Sequence, residues 1–171
     1  MIFGILGVLV VKKTAMLQIN ILLVGKTREG FIRDGVAFYQ KRLQPFMQLI
    51  LKNVREEKES PGFTPEIIKA REGERLQAQV PLRAWVAALT PAGRELTTEE
   101  FATWLTEREF ASRPIAFLIG GHLGLSDEVL ARADERLALS RLTLTHELTR
   151  LVLLEQLYRA ATIKAGHPYH V

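Results

Sequence analysis

The chain has 171 residues, of which 47% are hydrophobic and 25% are charged, a composition that excludes disordered and fibrous proteins and fits a single globular domain. It contains no cysteine, which excludes thiol nucleophiles, thiolate metal sites and disulfides and fits a reducing cytoplasm. Its 23 Lys and Arg against 19 Asp and Glu give a net charge of +4, which favours a polyanionic partner.

The chain opens with an apolar stretch, Met1 to Val11, that is too short to cross a membrane as a helix. Lys12 and Lys13 follow this stretch, whereas a signal peptide carries its positive charge before the apolar part. A new strand-like run opens at Met16. We therefore interpret residues 1–16 as an N-terminal extension from a start codon placed too far upstream, and residues 17–171 as the domain. A weak membrane anchor is the alternative interpretation of the extension.

Apolar runs alternate with stretches of helical spacing along the rest of the chain. Strands that alternate with helices favour a parallel sheet covered on both faces, so the predicted class is α/β. The predicted strands are 17–24, 47–54, 84–89, the last followed by a turn at 91–93, then 115–120 and a short apolar segment at 137–140. The predicted helices follow these strands, with N-terminal signals at Thr64, at Thr97 with Glu100, and at Ser126, and a long final helix from Glu147 to Ala165.

Glycines cluster after the fourth predicted strand, at Gly120, Gly121 and Gly124. Ligands of open α/β sheets bind at this end of a strand, where glycines let the backbone approach a ligand closely. A tight turn that needs a positive φ angle explains the same glycines equally well. His122, between them, has the features of an ordinary loop residue.

The segment from Leu139 to Glu147 mixes apolar and hydroxyl residues without strand alternation or helical spacing. Such a loop offers backbone hydrogen bonds and apolar walls to a neutral heterocycle such as adenine. The alternative is a strand followed by a helix cap at Thr145. In the final helix, the broad apolar face suits either a helical dimer contact or ordinary core packing.

The C-terminal tail, Gly166 to Val171, contains two of the four histidines. A chain end is ordinarily frayed, so this concentration indicates a docked tail with a function. Tyr169 is suited to stack on a base, and His170 is suited to transfer a proton or contact phosphate. A tail without a function is the alternative.

Taken together, these segments resemble the large-subunit ribosomal RNA pseudouridine N3-methyltransferase family of the SPOUT superfamily. The resemblance runs in order and spacing from about Leu17 to the C-terminus. The segments that carry it are LLVGK, Leu89 with Gly93, LIGGxxGLS, LSxxTxxH, Arg150, EQLYRA and HPYH.

The resemblance implies a Rossmann-like parallel sheet whose C-terminal part forms a deep trefoil knot, a rare exception among protein folds. It also implies a homodimer in which the tail of one subunit completes the active site of the other. The implied cofactor is S-adenosylmethionine, and the positions that match its binding residues are Leu89, Gly120, Leu139, Ser140, Arg141, Leu142, Thr143 and Leu144.

The implied activity is methylation of a pseudouridine N3 in 23S ribosomal RNA within the ribosome, in the cytoplasm, with no metal and no membrane partner. The implied catalytic residues are Arg150 for orientation or electrostatic help, Tyr169 for base packing and His170 for proton transfer or RNA contact. The chain departs from the family pattern at Thr145, where a proline is common, and at Thr90, where an acidic residue is common.

Two other classes of protein fit parts of the sequence. A nicotinamide-dependent oxidoreductase would share the α/β class, but no GxGxxG follows the first predicted strand. A non-catalytic ribosome-binding module would share the basic charge but would not need the 139–144 loop. Binding of S-adenosylmethionine and transfer of its methyl group distinguish the three.

Overall fold

A computed structural model describes residues 16–167 of the chain. Within this range, five strands form one parallel sheet in the order β2-β1-β4-β3-β5, which confirms the predicted α/β class. The strands are β1 Gln18–Val24, β2 Gln48–Val54, β3 Trp85–Glu95, β4 Ile115–Ile119 and β5 Glu135–Ala138. The helices are α1 Gly30–Leu43, α2 Pro65–Gln77, α3 Thr98–Phe110, α4 Asp127–Arg132 and α5 His146–Lys164.

Four helices begin at hydroxyl residues whose side chains accept hydrogen bonds from backbone N–H groups of the first turn. The predicted capping box of α3 is complete, because Glu100 N donates to Thr97 Oγ1 at 3.2 Å and Thr97 N donates to Glu100 Oε2 at 2.7 Å. The side chain of Thr145 caps α5 in the same way, accepting from Leu148 N at 3.2 Å. The four capping residues are Thr64, Thr97, Ser126 and Thr145.

The sheet is buried on both faces, which explains why its central strands are continuously apolar. Successive side chains of a strand point to opposite faces, so Phe117 of β4 packs in one apolar cluster and Leu118 in the other. Helices α1, α3 and α5 cover the face of Phe117, and helices α2 and α4 cover the face of Leu118. No helix within residues 16–167 is long and apolar enough to span a membrane.

The third strand does not end where the sequence predicted. The turn expected at 91–93 is instead part of β3, which continues to Glu95 after an irregularity in its pairing with β5. Leu89 and Arg94 both pair with Leu137, so the intervening residues bulge out of the ladder. Gly93 permits this arrangement, because a Cβ built on it would lie 2.4 Å from the carbonyl carbon of Leu137.

Candidate active site

The three segments predicted to bind a ligand meet at one edge of the sheet. The pairing of β3 with β4 places Gly120 one residue beyond the level of Leu89. On the other side of β3, Leu137 pairs with Leu89, and the 139–144 loop follows directly after β5. These are carboxyl ends of adjacent parallel strands, where ligands of such sheets bind.

Gly120 lies where the backbone turns back on itself after β4. A Cβ built at Gly120 would lie 2.4 Å from the carbonyl carbon of Gly124 and 2.5 Å from its oxygen. Gly124 has a φ of 83°, and its N–H donates to the carbonyl oxygen of Gly121 at 3.1 Å, which closes the turn. The positive-φ interpretation is therefore confirmed for Gly124 alone, whereas Gly120 is needed for the close approach of the backbone, and a role of Gly120 in ligand binding stays a prediction.

The 139–144 loop is irregular, as predicted, and offers both polar and apolar groups. Within the described chain, no backbone group from Ser140 to Leu144 pairs with another backbone group. The side chain of Leu142 is 76% exposed. Arg141 donates to Glu95 at 3.0 Å, which tethers the loop to the end of β3.

This arrangement fits S-adenosylmethionine. Leu142 N already donates to Ser140 Oγ at 2.9 Å, but the other backbone groups of the loop make no backbone hydrogen bond and can bind the edge of an adenine. The exposed Leu142 together with the buried Leu89 can contact its faces. Thr90, rather than a carboxylate, follows Leu89, and Glu95 is already paired with Arg141. We therefore expect the ribose to be bound without a carboxylate from the end of β3.

Arg150 is almost completely buried, with an exposed fraction of 1%. Its guanidinium donates to the carbonyl oxygen of Val24, to that of Gly25 at 3.2 Å and to Thr27 Oγ1 at 2.9 Å. Burial lowers the pKa of Arg150 from its ordinary value, although an arginine stays charged in proteins. The side chain therefore joins α5 to the loop after β1, which makes Arg150 a candidate for positioning rather than for contact with substrate.

Besides the polar groups of the 139–144 loop, a second polar group lies at the carboxyl ends of β1, β2 and β4. It consists of Arg28, Glu56, Glu59, His122 and Glu147. Arg28 donates to Glu56 at 2.7 Å, and His122 lies 4.0 Å from Glu56 and 3.3 Å from Glu59. Glu147 of α5 accepts from two backbone N–H groups of the β1–α1 loop, at 3.0 and 3.2 Å. Only His122 of this group was named from the sequence, because the group is assembled from four separate segments that no local motif connects.

Glu72 is a buried carboxyl group beneath the glycine-rich turn, and sequence analysis missed it because it lies among charged helix residues. Its Oε1 accepts from Glu57 N at 2.9 Å, whereas its Oε2 is buried without a hydrogen-bond partner among residues 16–167. Oε2 would lie 2.9 Å from a Cβ built on Gly121. Burial raises the pKa of Glu72 from its ordinary value of 4.5, because the charged form loses its solvation.

We expect Glu72→Gln to stabilise the protein at neutral pH. The raised pKa means that the folded protein disfavours the carboxylate, so ionisation of Glu72 above its unfolded pKa, near 4.5, costs stability. Glutamine is neutral and keeps an oxygen for Glu57 N. Thermal unfolding at pH 7.5 and pH 4 should show a higher Tm for the variant at pH 7.5 and a smaller gain at pH 4. An equal or lower Tm at pH 7.5 would contradict the buried-charge account.

The sequence of the chain matches a known family. The family model described as predicted SPOUT methyltransferase matches residues 17–170. The chain belongs to this family. The resemblance inferred from the motifs is therefore confirmed.

Relatives of this SPOUT chain cover nearly its whole domain. The ribosomal RNA large subunit methyltransferase H of Carboxydothermus hydrogenoformans is 42% identical over 158 residues, which span 90% of this chain and 99% of that protein. The protein of the same name from Desulfotalea psychrophila is 44% identical over 152 residues, which span 88% of this chain and 97% of that protein.

A crystal structure described as a probable methyltransferase from Bordetella pertussis Tohama I aligns with this SPOUT chain at a TM-score of 0.52 and 13% identity. The alignment covers 85% of this chain and 96% of that one. At this identity the likeness supports the fold alone.

Two residues predicted to act in this SPOUT methyltransferase, Tyr169 and His170, lie outside the described residues. The tail leaves the described chain at His167, whose N–H donates to the carbonyl oxygen of Thr162 at 2.9 Å. Its ring centroid lies 6.4 Å from that of Phe46. The tail therefore starts at the C-terminal end of α5, whereas the candidate site lies at the N-terminal end of that helix.

Proposed function

We propose that this chain transfers the methyl group of S-adenosylmethionine to N3 of a pseudouridine in 23S ribosomal RNA, with the assembled ribosome as substrate. The observation that carries the proposal is the meeting of Leu89, Gly120 and the 139–144 loop at one edge of the sheet in a SPOUT methyltransferase. Relatives named ribosomal RNA large subunit methyltransferase H support the RNA substrate. Such a substrate implies a cytoplasmic protein.

The cofactor is expected to bind against Leu89, Gly120 and the 139–144 loop. When bound, it supplies an activated methyl group on a sulfonium. We include the deep trefoil knot in this proposal. Membership of the SPOUT family supports it.

The reach of the tail supports a homodimer with a composite active site. Helix α5 runs from His146 to Lys164, which corresponds to about 27 Å between the candidate site and the start of the tail. His170 lies three positions after His167, and even a fully extended chain spans only about 11 Å over that distance. If Tyr169 and His170 act at the cofactor site, they must therefore act at the site of a second copy of this chain.

An apolar face on α1 provides a surface for that second copy. Phe31 and Phe38 lie seven residues apart, hence on one side of the helix, and are 67% and 48% exposed. Beside them, α1 packs closely on α5, because a Cβ built on Gly35 would lie 2.7 Å from Leu151 Cδ1. Exposed aromatic side chains on one face of a helix are typical of protein interfaces.

The protein must bring N3 into line with the methyl group and help the imide lose its proton. In this proposal Tyr169 packs against the base, and His170 contacts the RNA or transfers a proton. Arg150 fixes α5 against the β1–α1 loop through its hydrogen bonds. No metal is required for this chemistry.

The test is transfer of labelled methyl from S-adenosylmethionine to 70S ribosomes from a strain that lacks this gene. We expect label in 23S ribosomal RNA, little label in free ribosomal RNA, and a strong loss of label with His170→Ala. Equal labelling of free RNA would contradict the ribosome requirement.

Calorimetry separates the competing functions. Binding of S-adenosylmethionine without methyl transfer to ribosomes would mean a methyltransferase with a different substrate. Ribosome binding with neither cofactor binding nor transfer would indicate a non-catalytic module, and binding of a nicotinamide cofactor would indicate an oxidoreductase.

A further inference from the structure

His146 occupies a position between the predicted cofactor loop and the second polar group. It is the first residue of α5 and follows the 139–144 loop after a single residue, Thr145. Its side chain is partly buried. Arg150 lies four residues further along, on the same side of the helix. His146 therefore lies at the junction between the loop that we propose binds the methyl donor and the charged side chains Glu56 and His122, and its partial burial leaves the imidazole accessible.

The first turn of α5 is fixed on several sides, so the His146 backbone has a defined position. Thr145 caps the helix, Glu147 accepts two N–H groups from the β1–α1 loop, and Arg150 donates to the carbonyl oxygens that end β1. A group that accepts a proton needs this kind of fixed placement, because a general base must first lie within hydrogen-bond reach of the proton and only then does its pKa matter.

The charges around His146 favour its neutral form. Burial lowers the pKa of His146 from its ordinary value of 6.5, and the neighbouring Arg150 and His122 lower it further. Glu147 on the same helix and Glu56 on the β2–α2 loop act in the opposite direction but do not reverse the shift. At neutral pH the imidazole is therefore mainly unprotonated and able to accept a proton.

We propose that His146 accepts the imide proton of the target base during methyl transfer, an inference that rests on the proposed function. In this step N3 forms a bond to the methyl carbon while the carbon–sulfur bond breaks and its electron pair stays on sulfur. The N3–H proton passes to the unprotonated nitrogen of the imidazole, which becomes a cation. The imidazolium then releases the proton to solvent, because His146 is only partly buried.

His122 is the matched control, because it is a second histidine at this end of the sheet but hydrogen-bonds to Glu59 at 3.3 Å and is exposed. The experiment compares His146→Asn, His146→Gln and His122→Asn in single-turnover methylation of 70S ribosomes from pH 5.5 to 9. General-base catalysis is commonly worth about 10²- to 10⁴-fold, so we expect a loss of that order for both His146 variants and a small loss for His122→Asn. The wild-type rate should fall towards acidic pH as His146 becomes protonated.

The pH profile separates a base from a structural residue. Without His146 the limb that follows the pKa of His146 should be lost, and the rate should instead rise towards alkaline pH, where the imide ionises without help, so that the loss shrinks there. A uniform loss at all pH values, or a loss below threefold, would overturn the proposal. Calorimetry with S-adenosylmethionine should give an unchanged affinity for the His146 variants.

A measurement without turnover completes the test. NMR titration of the histidine rings in the wild-type protein should show His146 with a pKa below 6.5, its ordinary value. A value at or above this would overturn the proposal even if the variants fail to fold. If wild-type protein labels no ribosomal RNA, the proposed function fails and this inference fails with it. If the wild-type protein labels ribosomal RNA and the His146 variants label it equally well, the proposed function stands and this inference alone fails.

Discussion

Arg150→Met is expected to lower the free energy of unfolding by about 3 kcal/mol, because it leaves buried acceptors without their donor. The carbonyl oxygens of Val24 and Gly25 and the hydroxyl of Thr27 all receive hydrogen bonds from the guanidinium. Methionine fills most of the volume but donates nothing. Urea unfolding followed by tryptophan fluorescence measures the change.

Arg136→Met is the matched control, because Arg136 also donates to a carbonyl oxygen, that of Leu130, but is exposed. We expect this variant to lose less than about 1 kcal/mol, since water replaces the lost donor. Equal losses for the two variants would contradict a special structural role of Arg150. Because the β1–α1 loop adjoins the candidate site, we also expect Arg150→Met to reduce methylation.

Gly120→Ala is expected to weaken binding of S-adenosylmethionine at least tenfold, about 1.4 kcal/mol. The new Cβ would lie 2.4 Å from the carbonyl carbon of Gly124, which is backbone and cannot rotate away. The turn must therefore shift at the point where we propose that the cofactor binds. Overpacking of this kind typically also costs about 1–3 kcal/mol of stability.

Gly30→Ala provides the comparison, because the atom nearest to a Cβ built there is 3.7 Å away, at the end of the Arg33 side chain. Its affinity for the cofactor, measured by calorimetry, should equal that of the wild type. Wild-type affinity in a folded Gly120→Ala variant would show that the turn after β4 does not contribute to the cofactor site.

The fold class was predictable because its determinants are local. Apolar runs such as the one in β4 and hydroxyl caps such as Thr97 and Thr145 specify a strand or a helix start within a few residues. The predicted end of β3 was wrong because it depends on a distant contact. Gly93 was interpreted as a turn residue, whereas its missing side chain lets the backbone approach Leu137.

The candidate site was predictable only in part. The motifs identified the family, and the strand register then brought Leu89, Gly120 and the 139–144 loop together. The burial of Glu72 and Arg150 could not be read from the sequence, because charged helix residues are ordinarily exposed and their partners lie far away in the chain. The roles assigned to Arg150, Tyr169 and His170 stay predictions.

We propose that this SPOUT methyltransferase acts on N3 of a pseudouridine in 23S ribosomal RNA. Nucleoside mass spectrometry of 23S ribosomal RNA from a strain that lacks the gene, with and without the gene restored, tests it most directly. We predict that N3-methylpseudouridine is absent without the gene, returns with the wild-type chain, and does not return with His170→Ala. An unchanged nucleoside profile in the strain that lacks the gene would contradict the claim.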